Sequence, residues 1–314
     1  MLRHHLYRFK YNYGRFLPLT VPVDISLELA SACNMKCSYC YHADKKNLPF
    51  TQGIMEYETA QNIIEQAADL GVNSLKMNWK GESTLNPDFW NITYLAKQLA
   101  NGSTFQERIT NSNFKFDTDD DLIFLALANQ TKVKVSFDSF IPGVFNHQRA
   151  GGDWDTTHRN IDKFYHSPYR KDTEIVIQAV RTNLNKDEDI EGQCKRIWPE
   201  ATISIRDVVE GRVEKDVSEF THRDRDFDNR QPCRQAFVRI IFNYEGKAYA
   251  CCPDIKEQHY LGDIRKDSLS NIFCGSRAKL LRKKLKDGSA FKTDPCKSCS
   301  SFESYKGYQA NWGS

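Results

Sequence analysis

The sequence lacks a long hydrophobic run and a strong excess of charge of either sign. Its longest uninterrupted apolar stretch, residues 122–128, has seven residues, whereas a membrane-spanning helix needs about 20. The 44 lysines and arginines nearly balance the 41 aspartates and glutamates, so the formal net charge is only +3. A chain this close to neutral has no field strong enough to require nucleic acid or an anionic membrane as its partner.

A secretory signal and low-complexity segments are missing as well. The opening residues, MLRHHLYRFKYNYGRF, are aromatic and basic, and they contain neither the apolar stretch nor the small-residue cleavage site of an export signal. The chain has no internal repeat, and its 12% of aromatic residues argues against disorder. We therefore expect a folded, soluble, cytoplasmic protein that is long enough for one large domain and one smaller domain.

Strand-like and helical segments alternate between residues 23 and 208. Apolar and polar residues alternate over 23–29, as they do in a half-buried strand. Further strands are predicted at 74–79, 107–110, 133–137, 174–180 and 202–208, with helices at 57–70, 89–100, 119–128, 154–164 and 187–198. Strands that alternate with helices form a parallel sheet. Six such units are too few for a closed eight-stranded barrel, so the pattern predicts an α/β fold, an open partial (β/α)6 barrel.

The composition changes after residue 208. A charged segment is followed by a predicted hairpin with strands at 237–242 and 247–250, and then by helices at 268–273 and 276–286. This order is typical of a small α+β domain. The predicted organisation is an N-terminal extension (1–22), the barrel (23–208), a linker (209–232), the small C-terminal domain (233–300) and a tail (301–314).

Ten cysteines stand at positions 33, 37, 40, 194, 233, 251, 252, 274, 296 and 299. Because cytosolic thiols are kept reduced, their clustering indicates metal ligation rather than disulfides. Cys33, Cys37 and Cys40 have the spacing C-x3-C-x2-C directly after the first strand. Three thiolates on one loop can hold three irons of a [4Fe–4S] cluster and leave the fourth iron open. The alternative is a zinc site in which His42 supplies a fourth ligand.

The second cysteine group lies in the predicted small domain. Cys233 and Cys251 bracket the hairpin, and Cys296 and Cys299 form a C-x2-C pair. Four thiolates brought together complete the coordination of one [4Fe–4S] cluster. A zinc ribbon also uses four thiolates, although its first pair is usually closer in sequence, so zinc remains the alternative here too.

The segment LELASACNMKCSYCYH, residues 27–42, resembles the signature of the radical S-adenosylmethionine (SAM) enzymes. That signature is a C-x3-C-x-aromatic-C loop, in which Tyr39 is the aromatic residue, and the resemblance extends from about residue 23 to residue 300. It implies that the open iron binds the amino and carboxylate groups of SAM. It also implies that one electron from the cluster cleaves SAM to methionine and a 5′-deoxyadenosyl radical, which abstracts hydrogen from the substrate.

Further segments match the SAM-binding elements of this family in the same order. Lys80-Gly81-Glu82 resembles the Gly-Gly-Glu motif that receives the SAM amino group, with Lys80 in place of the first glycine. Residues 110–111, 135–138 and 148–152 resemble its third-strand Thr-Asn element, its fourth-strand serine segment and the arginine that pairs with the SAM carboxylate. The resemblance implies that SAM contacts Tyr39, Gly81, Glu82, Asn111, Ser136 and Arg149.

The second cysteine group resembles the Twitch auxiliary domain, the shortened relative of the SPASM domain. A full SPASM domain has further cysteines after its C-x2-C pair, and none follows Cys299 here. The resemblance therefore implies a single auxiliary [4Fe–4S] cluster, and two [4Fe–4S] clusters with SAM as the complete cofactor set. It also implies an electron donor such as flavodoxin or ferredoxin. The implied ligands of the auxiliary cluster are Cys233, Cys251, Cys296 and Cys299.

These features predict a radical SAM enzyme acting on a small-molecule substrate that is polar, such as a sugar, a cyclitol or a nucleoside-like compound. We expect a dehydrogenase that uses the auxiliary cluster as electron acceptor. A radical epimerase with a cysteine hydrogen donor is one alternative. A maturase of a ribosomal peptide is another, although only 22 residues precede the first strand, fewer than a leader-binding domain needs. A non-catalytic iron–sulfur or zinc protein would not need the SAM-binding elements.

Three cysteines remain outside the two groups. Cys194 and Cys274 are predicted to be buried as small hydrophobic residues. Cys252 adjoins the implied ligand Cys251, so in an extended strand its side chain points away from the cluster. There it either faces the substrate cavity as a hydrogen donor or packs in the core of the small domain. We expect core packing, and therefore dehydrogenation.

Overall fold

The computed structural model describes residues 2–117, 119–208 and 230–299. Within them, nine strands form one continuous sheet in the order β6-β5-β4-β3-β2-β1-β7-β8-β9. The predicted tail, Ser300 and residues 209–229 of the predicted linker lie outside the described residues. In the part of the chain that is described, no helix is both long enough and apolar enough to cross a membrane.

Strands β1 to β6 follow one another in sequence order, and each pairs in parallel with the next. Their bounds are β1 Asp24–Leu27, β2 Ser74–Lys76, β3 Glu107–Ser112, β4 Lys132–Ser136, β5 Glu174–Arg181 and β6 Thr202–Asp207. Each overlaps a segment that the alternation of apolar and polar residues predicts. The predicted α/β partial-barrel fold with a C-terminal auxiliary domain is confirmed.

The connecting helices all lie on one face of this sheet. Their bounds are α2 Tyr57–Asp69, α3 Phe89–Gln98, α4 Asp121–Ala128, α5 Pro142–Gln148, α6 Trp154–Tyr165 and α7 Ile190–Ile197. Every crossover from β1 to β6 moves one strand in the same direction, and right-handed crossovers then place the helices on a common face. We call the opposite face the inner face. On β4, Val133 and Val135 are fully buried on the helix-covered face, whereas Lys132, Lys134 and Ser136 are half-buried on the inner face.

The first helix, α1 (Leu2–Tyr13), covers the inner face near the amino ends of the strands. Tyr7 donates its hydroxyl hydrogen to Glu107 Oε2 at 2.7 Å, at the start of β3. The hydroxyl of Tyr11 accepts a hydrogen bond from Arg239 Nη2 at 3.0 Å, and its ring lies 6.0 Å from Lys76 Nζ. Helix α1, which the sequence predicts only as part of an N-terminal extension, therefore covers the inner face at the amino ends of the strands.

The C-terminal segment continues the same sheet. Its strands are β7 Arg239–Phe242, β8 Lys247–Tyr249 and β9 Tyr260–Asp263, and its helices are α8 Gln235–Val238, α9 Leu269–Cys274 and α10 Ser276–Lys286. β7 pairs in parallel with β1, and β8 and β9 follow antiparallel. The predicted strand 237–242 begins two residues late because α8 takes its first two residues, and the sequence analysis missed β9.

A buried ion pair joins the two parts of the sheet. Asp24 on β1 is fully buried, and its carboxylate lies 2.6 Å from Arg239 Nε on β7 and 3.3 Å from Lys76 Nζ on β2. Burial alone would raise the pKa of Asp24, but the two cations outweigh it, so this pKa lies below its usual value. The carboxylate is therefore ionised at neutral pH and neutralises a guanidinium that is itself only 4% exposed.

We expect Asp24→Asn to destabilise the fold by about 3–5 kcal/mol, because it leaves the Arg239 guanidinium buried without its counter-ion. Urea unfolding of the iron-free protein at neutral pH measures this loss. Folding lowers the pKa of Asp24, so the carboxylate contributes its stability above the unfolded pKa of about 4 and loses it as the pH falls through the folded value. The difference between the two proteins should therefore shrink in acid.

Glu174→Gln is the matched control for this substitution. The Glu174 carboxylate lies 3.0 Å from Lys132 Nζ in the same sheet, but its side chain is 40% exposed. Exposed pairs contribute little, so we expect a loss of no more than about 1 kcal/mol. Equal effects of the two substitutions would contradict the structural role assigned to the Asp24–Arg239 pair.

Candidate active site

The first cysteine group lies on the loop that leaves the carboxyl end of β1. Two backbone hydrogen bonds attach this loop to the end of α5, from Lys36 N to Ala150 O at 2.6 Å and from Ser38 N to Gln148 O at 2.9 Å. A third bond, from Glu82 N to Ala32 O at 2.9 Å, ties it to the loop after β2. The carboxyl ends of parallel strands are where barrel folds assemble reactive groups.

The surroundings of these thiols suit an iron-bound thiolate. Asn113 Nδ2 lies 3.9 Å from Cys33 Sγ, and Arg149 Nη1 lies 3.8 Å from Cys37 Sγ. Burial, followed by the nearby Glu82 and the other two thiols, raises the pKa of Cys33 to about 12, and burial raises that of Cys37 to about 11. Buried thiols with N–H donors directed at sulfur ionise when a metal supplies the positive charge.

Gly81 occupies a position that no other residue can take without moving the backbone. A Cβ at this position would lie 2.3 Å from both Ala30 O and Ala32 O, and 2.6 Å from the carbonyl carbon of Ser31. All three are backbone atoms, so none can rotate away. Gly81 therefore lets the loop after β2 pack directly against the segment that leads into Cys33.

Glu82, the next residue, has a buried carboxylate that is held by neutral donors. Oε2 accepts a hydrogen bond from Asn113 N at 2.8 Å, and Oε1 accepts from Thr84 N at 3.3 Å and from Thr84 Oγ1 at 3.0 Å. Burial raises the pKa of Glu82 because these bonds only partly offset the lost solvent. Among the described residues no lysine or arginine pairs with it. A ligand ammonium group would supply the missing positive charge.

Asn111 and Ser136 lie on the inner face at the carboxyl ends of β3 and β4. Ser136 is the register partner of Gln178 on β5, and Asn111 is the register partner of Lys134 on β4. Both side chains are half-buried, and neither makes a hydrogen bond with another described residue. Two polar groups without protein partners at this end of the inner face are suited to contact a bound molecule.

Tyr39 and Arg149 both contact the carboxylate of Asp138, a residue for which the sequence predicts no role. Asp138, fully buried after β4, accepts hydrogen bonds from the Tyr39 hydroxyl and from Val180 N, the second at 2.9 Å. Its other contact is an ion pair with Arg149 Nη2 at 2.9 Å. Arg149 is therefore already neutralised by Asp138, and a second anion, such as the SAM carboxylate, would share its remaining N–H groups.

Lys80, which replaces a glycine of the family motif, is buried between the barrel and the auxiliary domain. Its ammonium pairs with Glu257, lies 3.6 Å from Glu28 Oε2, and sits 4.2 Å and 4.5 Å from the rings of Trp79 and Phe50. Burial raises the pKa of Glu28 to about 7, which the more distant Lys80 only partly opposes. The substitution therefore adds a charged link between the loop after β2 and the loop after β8.

The second cysteine group surrounds the loop after β8. Burial, and then the charges of Asp254, Cys233, Cys252 and Cys299, raise the pKa of Cys251 well above its usual value. Burial and the neighbouring Cys299 raise that of Cys296 to about 11. His259 Nε2 lies 3.3 Å from Cys296 Sγ, and Arg230 donates to the backbone oxygen of Cys296 at 2.5 Å. These four thiols are thus brought near one another, with a histidine that the sequence analysis did not identify.

In neither of the described cysteine groups do the side chains lie close enough together to bind a single metal ion. In the described part of the chain, no three His, Cys, Asp or Glu side chains are gathered closely enough to hold one metal ion. His42, the fourth ligand in the zinc alternative, points Nε2 at the backbone oxygen of Lys80, at 3.0 Å. The donor chemistry, thiols with N–H groups directed at sulfur, fits iron–sulfur clusters.

Cys252 lies beside the inner face. Arg239 Nη1 is 3.9 Å from its sulfur, and its backbone oxygen accepts a hydrogen bond from Trp79 Nε1 at 2.9 Å. The residue is half-buried and lies outside the hydrophobic core, so the core packing expected for Cys252 from the sequence is not observed. By contrast, Cys194 is fully buried in the core, and Cys274 is half-buried with its Sγ donating to Thr20 O at 3.1 Å.

Comparison with known proteins bears on both cysteine groups. The family model described as "SPASM: Iron-sulfur cluster-binding domain" matches residues 233–300. The mycofactocin maturase MftC of Mycobacterium ulcerans is 24% identical over 178 residues, which are 57% of this chain and 46% of the relative. The chain is thus similar to a radical SAM maturase over about half of its length. The resemblance that the sequence predicts, to radical SAM enzymes with a C-terminal auxiliary domain of the Twitch/SPASM type, is confirmed.

A second curated relative matches a similar share of this chain. MftC of Mycolicibacterium smegmatis is 24% identical over 170 residues, or 54% of this chain and 40% of the relative. The chain therefore spans less than half the length of the curated relatives it matches. The cofactor class predicted from the sequence, SAM with [4Fe–4S] clusters including an auxiliary cluster, is confirmed at the level of the family.

Solved structures share the fold over most of the chain. BtrN in complex with AdoMet and 2-DOIA has a TM-score of 0.57 and 17% identity, covering 89% of this chain and 93% of BtrN. The anSMEcpe structure with bound AdoMet has a TM-score of 0.64, 15% identity and coverages of 90% and 89%. SuiB of Streptococcus suis, bound to the precursor peptide SuiA, has a TM-score of 0.57, 15% identity and coverages of 95% and 73%.

We expect Gly81→Ala to destabilise the iron-free protein by about 1–3 kcal/mol, because its Cβ would overlap backbone atoms that cannot yield cheaply. The displaced segment leads into Cys33, so the reconstituted variant should also retain less iron than the wild type. Urea unfolding and iron content per chain measure the two effects.

Gly143→Ala is the matched control, since a Cβ there meets nothing within 4 Å. Gly143 lies in α5, where alanine is favoured over glycine by up to about 1 kcal/mol. If both variants behaved alike, the close approach at Gly81 would have no energetic consequence.

Proposed function

We propose that this radical SAM protein is a dehydrogenase. It would abstract a hydrogen atom from a small polar molecule, such as a sugar, a cyclitol or a nucleoside-like compound; the resulting radical would then lose a proton to water, with the auxiliary cluster as the acceptor of its electron. The single observation that carries the proposal is the direct contact between the predicted SAM-binding segment and the auxiliary loop. Trp79 Nε1 bonds to Cys252 O at 2.9 Å, and Lys80 pairs with Glu257. An electron acceptor next to the reacting molecule is what dehydrogenation requires.

The chain's own residues divide the work in the following way. Cys33, Cys37 and Cys40 would hold the first cluster, and the other cysteine group, Cys233, Cys251, Cys296 and Cys299, would hold the auxiliary cluster. When bound, the first cluster and SAM supply the hydrogen-abstracting radical, and the auxiliary cluster supplies the electron acceptor. Glu82 would accept hydrogen bonds from the ammonium of SAM, and Arg149 would donate to its carboxylate. Asn111 and Ser136 would orient the remainder of the SAM molecule.

The reduced first cluster needs an external electron. We propose a flavodoxin or ferredoxin as its donor. The division of labour also suggests domain limits at residues 23–208 for the SAM-binding barrel and 233–300 for the auxiliary domain. β1 and β7 pair directly, so these two units share one sheet.

Peptide maturation is the second candidate function. Its support is the similarity to the mycofactocin maturases and to SuiB, which binds a precursor peptide. A screen for 5′-deoxyadenosine formation that depends on added small molecules or added peptides separates the two substrate classes. Formation only with a peptide would replace the small-molecule proposal.

Epimerisation is the remaining alternative, since the half-buried thiol of Cys252 beside Arg239 is suited to return a hydrogen atom. In deuterated buffer, an epimerase incorporates one solvent deuterium at an inverted carbon, and Cys252→Ala abolishes that incorporation. A dehydrogenase yields an oxidised product with no such inversion. The first outcome would overturn the dehydrogenase proposal.

Changing Cys33, Cys37 and Cys40 together to alanine should leave about half of the iron of the reconstituted wild-type protein, since four thiolates still hold the other cluster. SAM cleavage should be lost completely. Iron per chain and chromatographic detection of 5′-deoxyadenosine measure both. Cys274→Ala is the control and should keep all of the iron. Stoichiometric zinc without iron in protein purified anaerobically would show that the chain is not an iron–sulfur enzyme.

Glu82→Gln should weaken SAM binding about tenfold to a hundredfold while both clusters still assemble. The substitution keeps the shape of the side chain but removes a charge-assisted hydrogen bond worth about 1.5–3 kcal/mol. Equilibrium dialysis with labelled SAM on the reconstituted protein measures the affinity. Glu107→Gln, a change at the opposite end of the inner face, is the control and should bind SAM normally. Unchanged affinity in Glu82→Gln would remove Glu82 from the SAM site.

A further inference from the structure

We propose that Lys134 holds an anionic group of the substrate, a carboxylate or a phosphate, on the inner face of the sheet. The proposal deepens the proposed function and rests on it, because it assumes that the reacting molecule lies on the inner face. It adds a chemical class to the substrate. The polar molecule carries a negative charge, and the chain holds that charge at a defined position.

The strand register places Lys134 next to the predicted SAM contacts. On β4 it lies two residues before Ser136 and points to the same face, and on β3 its register partner is Asn111. It is therefore one step closer than Ser136 to the amino ends of the strands. Beyond it, Tyr7 and Tyr11 of α1 close the inner face. Lys134 thus lies between the SAM-binding end and the closed end.

Lys134 keeps part of its surface accessible on the inner face. Lys134, Ser136 and Gln178 are half-buried, whereas their chain neighbours Val133, Val135, Ile177 and Ala179 on the opposite face are fully buried. The register partners of Lys134 differ, since Asn111 on β3 is half-buried and Val176 on β5 is fully buried, so the accessible part of this face lies toward β3 and the carboxyl ends of the strands. Ser136 and its register partner Gln178, one step nearer the carboxyl ends of the strands, add neutral hydrogen-bonding groups on the same face.

The charges around Lys134 are mostly positive. Burial, and then Arg206, Lys76 and Lys132, lower the pKa of Lys134 to about 7, and only Glu107 acts in the opposite direction. A cluster of cations that only Glu107 opposes disfavours a charged lysine, and a bound anion would reverse that effect.

The nearby acids are engaged with other groups. Lys76 pairs with Asp24 at 3.3 Å, and Lys132 pairs with Glu174 at 3.0 Å. Glu107 accepts the hydroxyl hydrogen of Tyr7. Within the described residues, Lys134 Nζ itself has no hydrogen bond and no ion pair. An ammonium that is half-buried among other cations, without a protein counter-ion, is the side chain that a ligand anion would satisfy.

Competitive amine labelling tests this proposal on the anaerobically reconstituted protein with SAM bound. A short pulse of acetic anhydride at fixed pH is followed by mass spectrometry, which measures acetylation at Lys134 and, as internal control, at Lys132. Inorganic phosphate at ten times its dissociation constant should slow labelling of Lys134 about tenfold, in proportion to the free fraction. Labelling of Lys132, which has its own partner, should not change.

Two further arms identify the source of the anion. Acetate is compared with phosphate, and an N-acetylated dipeptide with a free carboxyl group is compared with its C-terminal amide. Protection by phosphate or acetate alone indicates a small-molecule anion, and protection by the free peptide but not by its amide indicates a peptide C-terminus. Either result supports an anion site at Lys134.

The melting temperature with and without phosphate provides a second measurement of anion binding that does not depend on amine labelling. Phosphate should raise the melting temperature of the wild type and of Lys132→Gln by the same amount, and Lys134→Gln should lose this increase. Lys134→Arg keeps the charge and should restore part of it.

Three outcomes would overturn the anion site. They are equal protection of both lysines, an absence of labelling at Lys134 even without anion, and complete protection of Lys134 by SAM alone, which would assign it to SAM. The proposed function fails separately, through the iron content and SAM cleavage of the wild type.

Discussion

The pairing of β1 with strands from both parts of the chain is the constraint on which the inner face depends. β2 pairs with one edge of β1 and β7 with the other, and Asp24 neutralises Arg239 across the second junction. Without that pairing, the loop after β8 would not reach the loop after β2. The contacts of Trp79 with Cys252 and of Lys80 with Glu257 exist only because the two loops extend from one sheet.

Buried charge is distributed unevenly over this face. At the end of the inner face that α1 covers, the Asp24 carboxylate pairs with Lys76 and Arg239. Where the loops after β2 and β8 meet, the Lys80 ammonium lies within ion-pair distance of Glu28 and Glu257. Between these points, the buried carboxyl group of Glu82 is held only by neutral donors, and the amino group of Lys134 lies among cations. Under the functions proposed above, these two unpaired groups are where a zwitterionic cofactor and an anionic substrate would gain the most from binding.

The lysine at position 80, where the family motif has glycine, also depends on neutralisation of a buried charge. A lysine that replaces glycine in a buried loop needs a counter-charge, and this chain provides Glu257 and Glu28 together with the rings of Trp79 and Phe50. Glycine remains at position 81, where backbone oxygens leave no room for a Cβ. Position 80 can therefore carry a lysine because its charge is neutralised, whereas position 81 must be glycine because a Cβ would overlap backbone atoms.

The sequence by itself determined the order of the six parallel strands and the two groups of cysteines. Alternation of apolar and polar residues is a local property, and the spacing C-x3-C-x2-C is contained in eight residues. The tertiary structure decided which distant side chains meet. It placed Asp138 between Tyr39 and Arg149, brought His259 to Cys296, and put α1 across the end of the inner face. These contacts join residues far apart in the chain, and their geometry follows from strand register and burial, which no local pattern encodes.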